Sequence, residues 1–183
     1  MTRTSGTGPN LTYPDPGATS PESARWVAPS GDAYRAFERT VPLGSGAAVW
    51  ESASAALLMW GVKTGSGFRV EPAGEGNIPA GRVRAGADYR LIALLGPFRV
   101  PEPVRVVAVV DTPDRRGFAY GTLDGHPVSG EEAFILSRGP GGEVRLTLRS
   151  LTRPGRGVWR IAFPLALIAQ RRYRARYVRA LRP

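Results

Sequence analysis

Five side chains able to move protons fall in one stretch, "GFAYGTLDGHPVSGEEAF", residues 117–134: Tyr120, Asp124, His126, Glu131 and Glu132. His126 is the sole histidine of the chain, and an unperturbed imidazole titrates nearer neutrality than any other side chain. A glutamate in apolar surroundings has its pKa raised, which makes it a general acid or base near pH 7. A tyrosine hydroxyl beside it polarises a carbonyl or donates a proton. These residue types point to proton transfer on a bound molecule. Part of the stretch has a purely local explanation: Asp124-Gly125 is a turn dipeptide, Pro127 stiffens a loop, and His126 with Glu131 would bond the hairpin together.

Alternation along the chain says how these groups would meet. A strand over 118–123 puts Phe118, Tyr120 and Thr122 on one face, and a strand from Glu131 puts Glu132, Phe134 and Leu136 on one face. If the two faces coincide, Tyr120 and Glu132 share an apolar wall. The same signals recur from Phe68 to Ser150, in "GFRVEP", "GRVRAGADYRLIALLG", "FRVPEPVRVVAVVD", "EEAFILSRG" and "GEVRLTLRS". Turn residues separate them, among them Pro101 to Pro103, and short links imply an antiparallel sheet. Residues 33–43 fit strand and helix alike.

Before this sheet, "GSGAAVWESASAALLMWG" predicts a helix over 45–60, capped by Ser45 and stopped by Gly61. After it, Pro164 suits the first turn of a long helix over 165–181. That helix gathers Ala166, Ala169, Tyr173, Tyr177, Ala180 and Leu181 on one side, with Arg171, Arg172, Arg179 and Arg182 on the other. The order predicts an α+β fold in which a curved antiparallel sheet of six to seven strands wraps around a long C-terminal helix. Small residues on the helix stripe leave a hollow between the layers, the candidate pocket. Residues 1–31, rich in Gly, Pro, Ser and Thr, read as a flexible N-terminal arm, and residues 32–183 as the domain.

Composition narrows the chemistry. The chain has 183 residues and no cysteine, which removes disulfides, thiolate metal sites and cysteine nucleophiles. One histidine and no cysteine are too few for the usual zinc ligand sets, and no metal or cofactor is expected. No G-x-S-x-G elbow, phosphate loop or dinucleotide fingerprint occurs; "GSGAAV" lacks the third glycine. The polar start carries no secretory pattern and the longest apolar run is "IAFPLALIA", so the expected location is cytoplasmic and no span is expected.

Net charge is +10, and residues 151–183 hold nine arginines and no acid. Such a face can meet an anionic surface through Arg171, Arg172 and Arg179, which would make the chain an interaction protein working on an acidic partner, a membrane or nucleic acid, or it can be a solvated helix face. Base readout needs exposed aromatics, whereas Tyr173 and Tyr177 are expected to face inward, so specific nucleic-acid binding is not expected. The apolar start "VWRIAFPLALI" followed by arginines also fits a bilayer surface. Oligomeric state is not legible.

Three stretches, "LTYPDPGAT", "RRGFAYGTLDGHPVSGEEAF" and "RRYRARYVRALR", resemble the DUF1990 (UPF0548) family over residues 11–182. The chain departs from that family's pattern at Asp124, where Pro is common, so an individual role for Asp124 is not expected. The family resembles the START and polyketide-cyclase group of helix-grip folds, which implies a cavity for a hydrophobic small molecule. Cyclase, dehydratase or isomerase chemistry without a cofactor is then one expectation and carriage of a lipid-like ligand another. Glu132, Tyr120 and His126 are the catalytic candidates. Trp60, Phe118, Phe134, Leu136, Trp159, Tyr173 and Tyr177 are the candidates for the ligand-contacting wall.

Overall fold

The computed structural model describes residues 10–29, 34–74, 80–95, 98–155 and 157–181. Seven strands form one antiparallel sheet: β1 (Arg35–Ser45), β2 (Phe68–Pro72), β3 (Asp88–Leu95), β4 (Phe98–Asp111), β5 (Arg115–Thr122), β6 (Val128–Arg138) and β7 (Glu143–Pro154). Their order is β1-β7-β6-β5-β4-β3-β2, a meander from β2 to β7 closed by β1 on the far edge. Two helices, α1 (Ala47–Leu58) and α2 (Gly61–Thr64), connect β1 to β2, and α3 (Val158–Ala180) follows β7. This is the helix-grip layout, with the main core between the sheet's inner face and the three helices.

Of the ambiguous residues 33–43, those from Arg35 onward form β1, whose register with β7 runs from Arg35 opposite Thr152 to Ser45 opposite Glu143, and residue 33 lies outside the described residues. Pro101 and Pro103 do not break the sheet as expected; β4 runs through them, opposite Ile92 and Arg90. The carbonyl of Pro103 accepts from the N–H of Leu123, so its missing N–H lies on the β5 side. There β5 ends at Thr122 opposite Val104, and the Leu123 carbonyl that would have accepted from an N–H at position 103 takes the His126 N–H instead, so no acceptor is left unpaired.

Both helices begin and end elsewhere than the sequence predicts. Helix α1 starts after Gly46 with no side-chain cap, so Ser45 caps nothing and closes β1 instead. It ends before Trp60, which takes a left-handed conformation (φ 63°). Such a backbone costs a bulky residue about 1 kcal/mol, and the buried indole offsets this by packing on Tyr89 and Phe118, ring centroids 4.7 and 4.9 Å away. Gly61 then opens α2, pressed so close to the end of α1 that a Cβ would lie 2.6 Å from the Ala56 carbonyl oxygen. Helix α3 begins at Val158, so Pro164 is an interior residue; it is exposed, which keeps its ring out of the core where a lost hydrogen bond would cost most.

Residues 10–29 do not behave as a flexible arm. Leu11 bridges to Leu123, and Tyr13 and Thr19 are buried against the face of β5 and β6 that points away from the helices. Three arginines fasten the segment through its carbonyls: Arg149 to Thr19, Ser20 and Ala24, Arg153 to Thr12, and Arg115 to Pro21 and Ser23. Gly121 makes room for it, since a Cβ there would clash with the Tyr13 ring. Residues 1–9, 30 and 31 of the expected arm lie outside the described residues.

Candidate functional site: a polar cluster in an apolar cavity

A cavity of about 260 Å³ lies between the inner face of the sheet and α3. Much of its wall is apolar, with Phe68, Leu151, Trp159, Ala166, Ala169 and Tyr173 among the lining residues. On this wall β5 and β6 place Tyr120 directly opposite Glu132 in the ladder, and the Tyr120 hydroxyl donates to Glu132 Oε2. The same oxygen receives Lys63 Nζ at 2.9 Å, and Lys63 also donates to the Tyr177 hydroxyl at 2.6 Å. One carboxylate, one ammonium and two phenols therefore meet from β6, α2, β5 and α3.

Lys63 is the single lysine of the chain, and its side chain is 2 % exposed. Four rings surround its ammonium: Tyr177 at 4.5 Å, Phe68 at 4.6 Å, Tyr120 at 5.0 Å and Phe134 at 5.3 Å from Nζ to centroid. The ring faces and the Glu132 charge offset the cost of taking an ammonium out of water. Trp60, immediately before α2, anchors the turn that aims Lys63 inward. Burial, and next the charge of Glu132, hold both the Tyr120 and Tyr177 hydroxyls well above the usual phenol range, so they stay protonated donors.

A second pair lines the cavity. His126 follows the Asp124-Gly125 turn, closed by its own N–H to the Leu123 carbonyl, with Gly125 at φ 92°. Its Nδ1 accepts the Val128 N–H at 3.1 Å, which leaves the ring proton on Nε2, 3.8 Å from Glu102 Oε2. That spacing is too long for a hydrogen bond. Burial, with the Lys63 charge adding to it, pushes the imidazole down to about 3 and keeps it neutral. Burial pushes Glu102 up to about 7, against the pull of Lys63.

The sequence-based candidates divide. Tyr120, Glu132, His126, Trp159, Tyr173 and Tyr177 all line the cavity. Trp60, Phe118, Phe134 and Leu136 do not; each is fully buried in the core that supports the wall. Glu131 does not bond His126. It points to the outer face, where Tyr13, Thr19 and the N–H groups of Gly17 and Thr19 donate to its carboxylate. Sequence reasoning missed Lys63 and Glu102. A lone lysine in a chain that otherwise uses arginine was a visible signal; Glu102, between two prolines that read as a turn, was not. Among the described residues no group of three or more metal-ligating side chains comes together.

The model of a domain of unknown function, DUF1990, matches residues 12–180. A UPF0548 protein of Deinococcus radiodurans is 38% identical over 157 residues, covering 82% of this chain and 78% of that protein. Among solved structures, a hypothetical protein of Helicobacter pylori aligns over 96% of both chains with a TM-score of 0.55 at 10% identity. Ara h 8.0201 aligns over 81% of this chain and 98% of its own with a TM-score of 0.46, also at 10% identity.

Proposed function

The chain belongs to the DUF1990 family, and from its cavity we propose that it binds a hydrophobic small molecule bearing a carbonyl group and moves protons on it. The single observation that carries this reading is the convergence of Lys63, Tyr120, Glu132 and Tyr177 on one wall of an otherwise apolar hollow. The apolar body of the molecule would lie against Phe68, Leu151, Trp159 and Tyr173. Its carbonyl oxygen would take hydrogen bonds from Lys63 and Tyr177, donors already aimed and desolvated, which stabilise the negative charge that grows there during enolisation. Glu132, released from Tyr120 by the incoming group, would take the proton from the adjacent carbon and return it elsewhere. The chemistry belongs to the isomerase, dehydratase or cyclase sort, performed by the chain's own side chains.

Tyr173 adds a further contact. It lines the cavity, and its hydroxyl is buried without a hydrogen-bond partner among the described residues, a costly state that a ligand acceptor would relieve. The test begins with native mass spectrometry of freshly purified protein to identify a bound molecule. Proton exchange of that molecule in deuterated water is then followed with wild type and Glu132→Gln. Exchange lost in the variant supports the proposal; equal exchange, or none in wild type, sinks the catalytic role.

Carriage without reaction is the second reading, favoured by the internal completeness of the Lys63–Glu132 pair. It predicts a bound molecule whose protons wild-type protein does not exchange.

A further inference from the structure

Helix α3 carries an exposed stripe that its role as a core helix does not explain. Ile161, Leu165 and Ile168 are 85 %, 70 % and 53 % exposed, and their spacing places them within an arc of about 60° at about 100° per residue. The same arc continues into Arg172 and Arg179, both exposed. The stripe is thus apolar over its first two turns and cationic beyond. Single exposed apolar residues need no explanation, but a row of three on one helix does.

The stripe adjoins the cavity. Leu165 lines the hollow while remaining largely exposed, so it stands at the mouth, and Trp159 and Ala166 of the same helix lie within. No helix among the described residues is long and apolar enough to cross a membrane, which leaves a helix lying on a surface.

We propose that the exposed stripe of α3 docks on an anionic lipid bilayer, with Ile161, Leu165 and Ile168 entering the acyl boundary and Arg172 and Arg179 meeting headgroups, so that the cavity mouth opens toward the lipid. Charge selects this occupant. The chain carries +10 and no acidic residue follows Glu143, so a second copy seated on the same face would bring like charges together, whereas anionic headgroups complement them. Helices with this division of apolar and cationic residues bind in the plane of the interface.

The experiment is sedimentation of the full chain with phosphatidylcholine vesicles and with vesicles containing phosphatidylglycerol, at physiological salt. Wild type should bind the anionic vesicles about tenfold more tightly than the neutral ones. The double variant Ile161→Ser, Ile168→Ser should lose most of that binding, and Arg172→Gln with Arg179→Gln should weaken its dependence on salt. All four positions are exposed, and thermal unfolding of each variant checks that the fold persists. Absence of wild-type binding to anionic vesicles, or equal binding by the double serine variant, overturns the proposal. So does concentration-dependent dimerisation abolished by the serines, which would assign the stripe to a second copy. Cavity occupancy read by native mass spectrometry in solution is independent of these outcomes, so docking and ligand binding fail separately.

Discussion

Glu131 and Glu132 are neighbours in β6 that point to opposite faces of the sheet and into opposite surroundings. Glu132 enters the apolar cavity and meets Lys63 and Tyr120. Glu131 reaches the outer face and ties down residues 13–19. Adjacent carboxylates thereby separate two tasks, one facing the cavity and one holding the N-terminal segment against the outer face.

Replacing Glu131 by Ala should cost about 3 kcal/mol, since several buried donors then lose their acceptor. Urea unfolding gives the magnitude. Faster proteolytic cleavage within residues 10–29 would locate the damage; an unchanged cleavage pattern would contradict the tether.

Glu132→Gln should destabilise by about 3 kcal/mol, because the buried ammonium of Lys63 is left without its counter-charge. Lys63→Met in the same background should recover part of that loss, so the double variant unfolds at a higher urea concentration than Glu132→Gln alone. Additive losses in the double-mutant cycle would rule out direct coupling.

Stability against pH carries two opposed contributions. Glu102 has its folded pKa raised to about 7 from 4.5, so its contribution is fully present below pH 4.5 and is lost as pH rises through 7. His126 has its folded pKa lowered to about 3 from 6.5, so its contribution is present above pH 6.5 and is lost as pH falls toward 3. Between pH 4.5 and 6.5 the slopes cancel, each about 1.4 kcal/mol per pH unit at most. Glu102→Gln should therefore become less stable on acidification through this window, and His126→Asn more stable. Parallel profiles for wild type and both variants would refute the assignment.

Ala169→Phe should fill the hollow, because Ala169 is a small lining residue on α3. Binding of a fluorescent apolar probe should fall about tenfold while the melting temperature changes little. Undiminished probe binding would place the ligand elsewhere.

Alternation put Phe118, Tyr120 and Thr122 on one face and Glu132, Phe134 and Leu136 on one face, and left the Tyr120–Glu132 pair conditional on those faces coinciding, which the register of β5 and β6 supplies. Faces do not reveal depth. Phe118, Phe134 and Leu136 share the inner face with Tyr120 and lie buried beside the hollow, and only tertiary packing separates floor from wall. The N-terminal segment misled for a related reason: its Gly and Pro content promises nothing by itself, and its order comes from Glu131, Arg149 and Arg153, all more than a hundred positions away. Trp60 likewise accepts a left-handed backbone that no local pattern predicts, because its indole packs in the core on Tyr89 and Phe118.

Lys63 makes the hollow chemically addressable. With one side-chain amine in the whole sequence, and that one enclosed, an amine-selective reagent small enough to pass the mouth writes its mark at a single internal lysine. Reductive methylation followed by peptide mapping would then gauge occupancy by the proposed ligand, slow with it seated and faster without it.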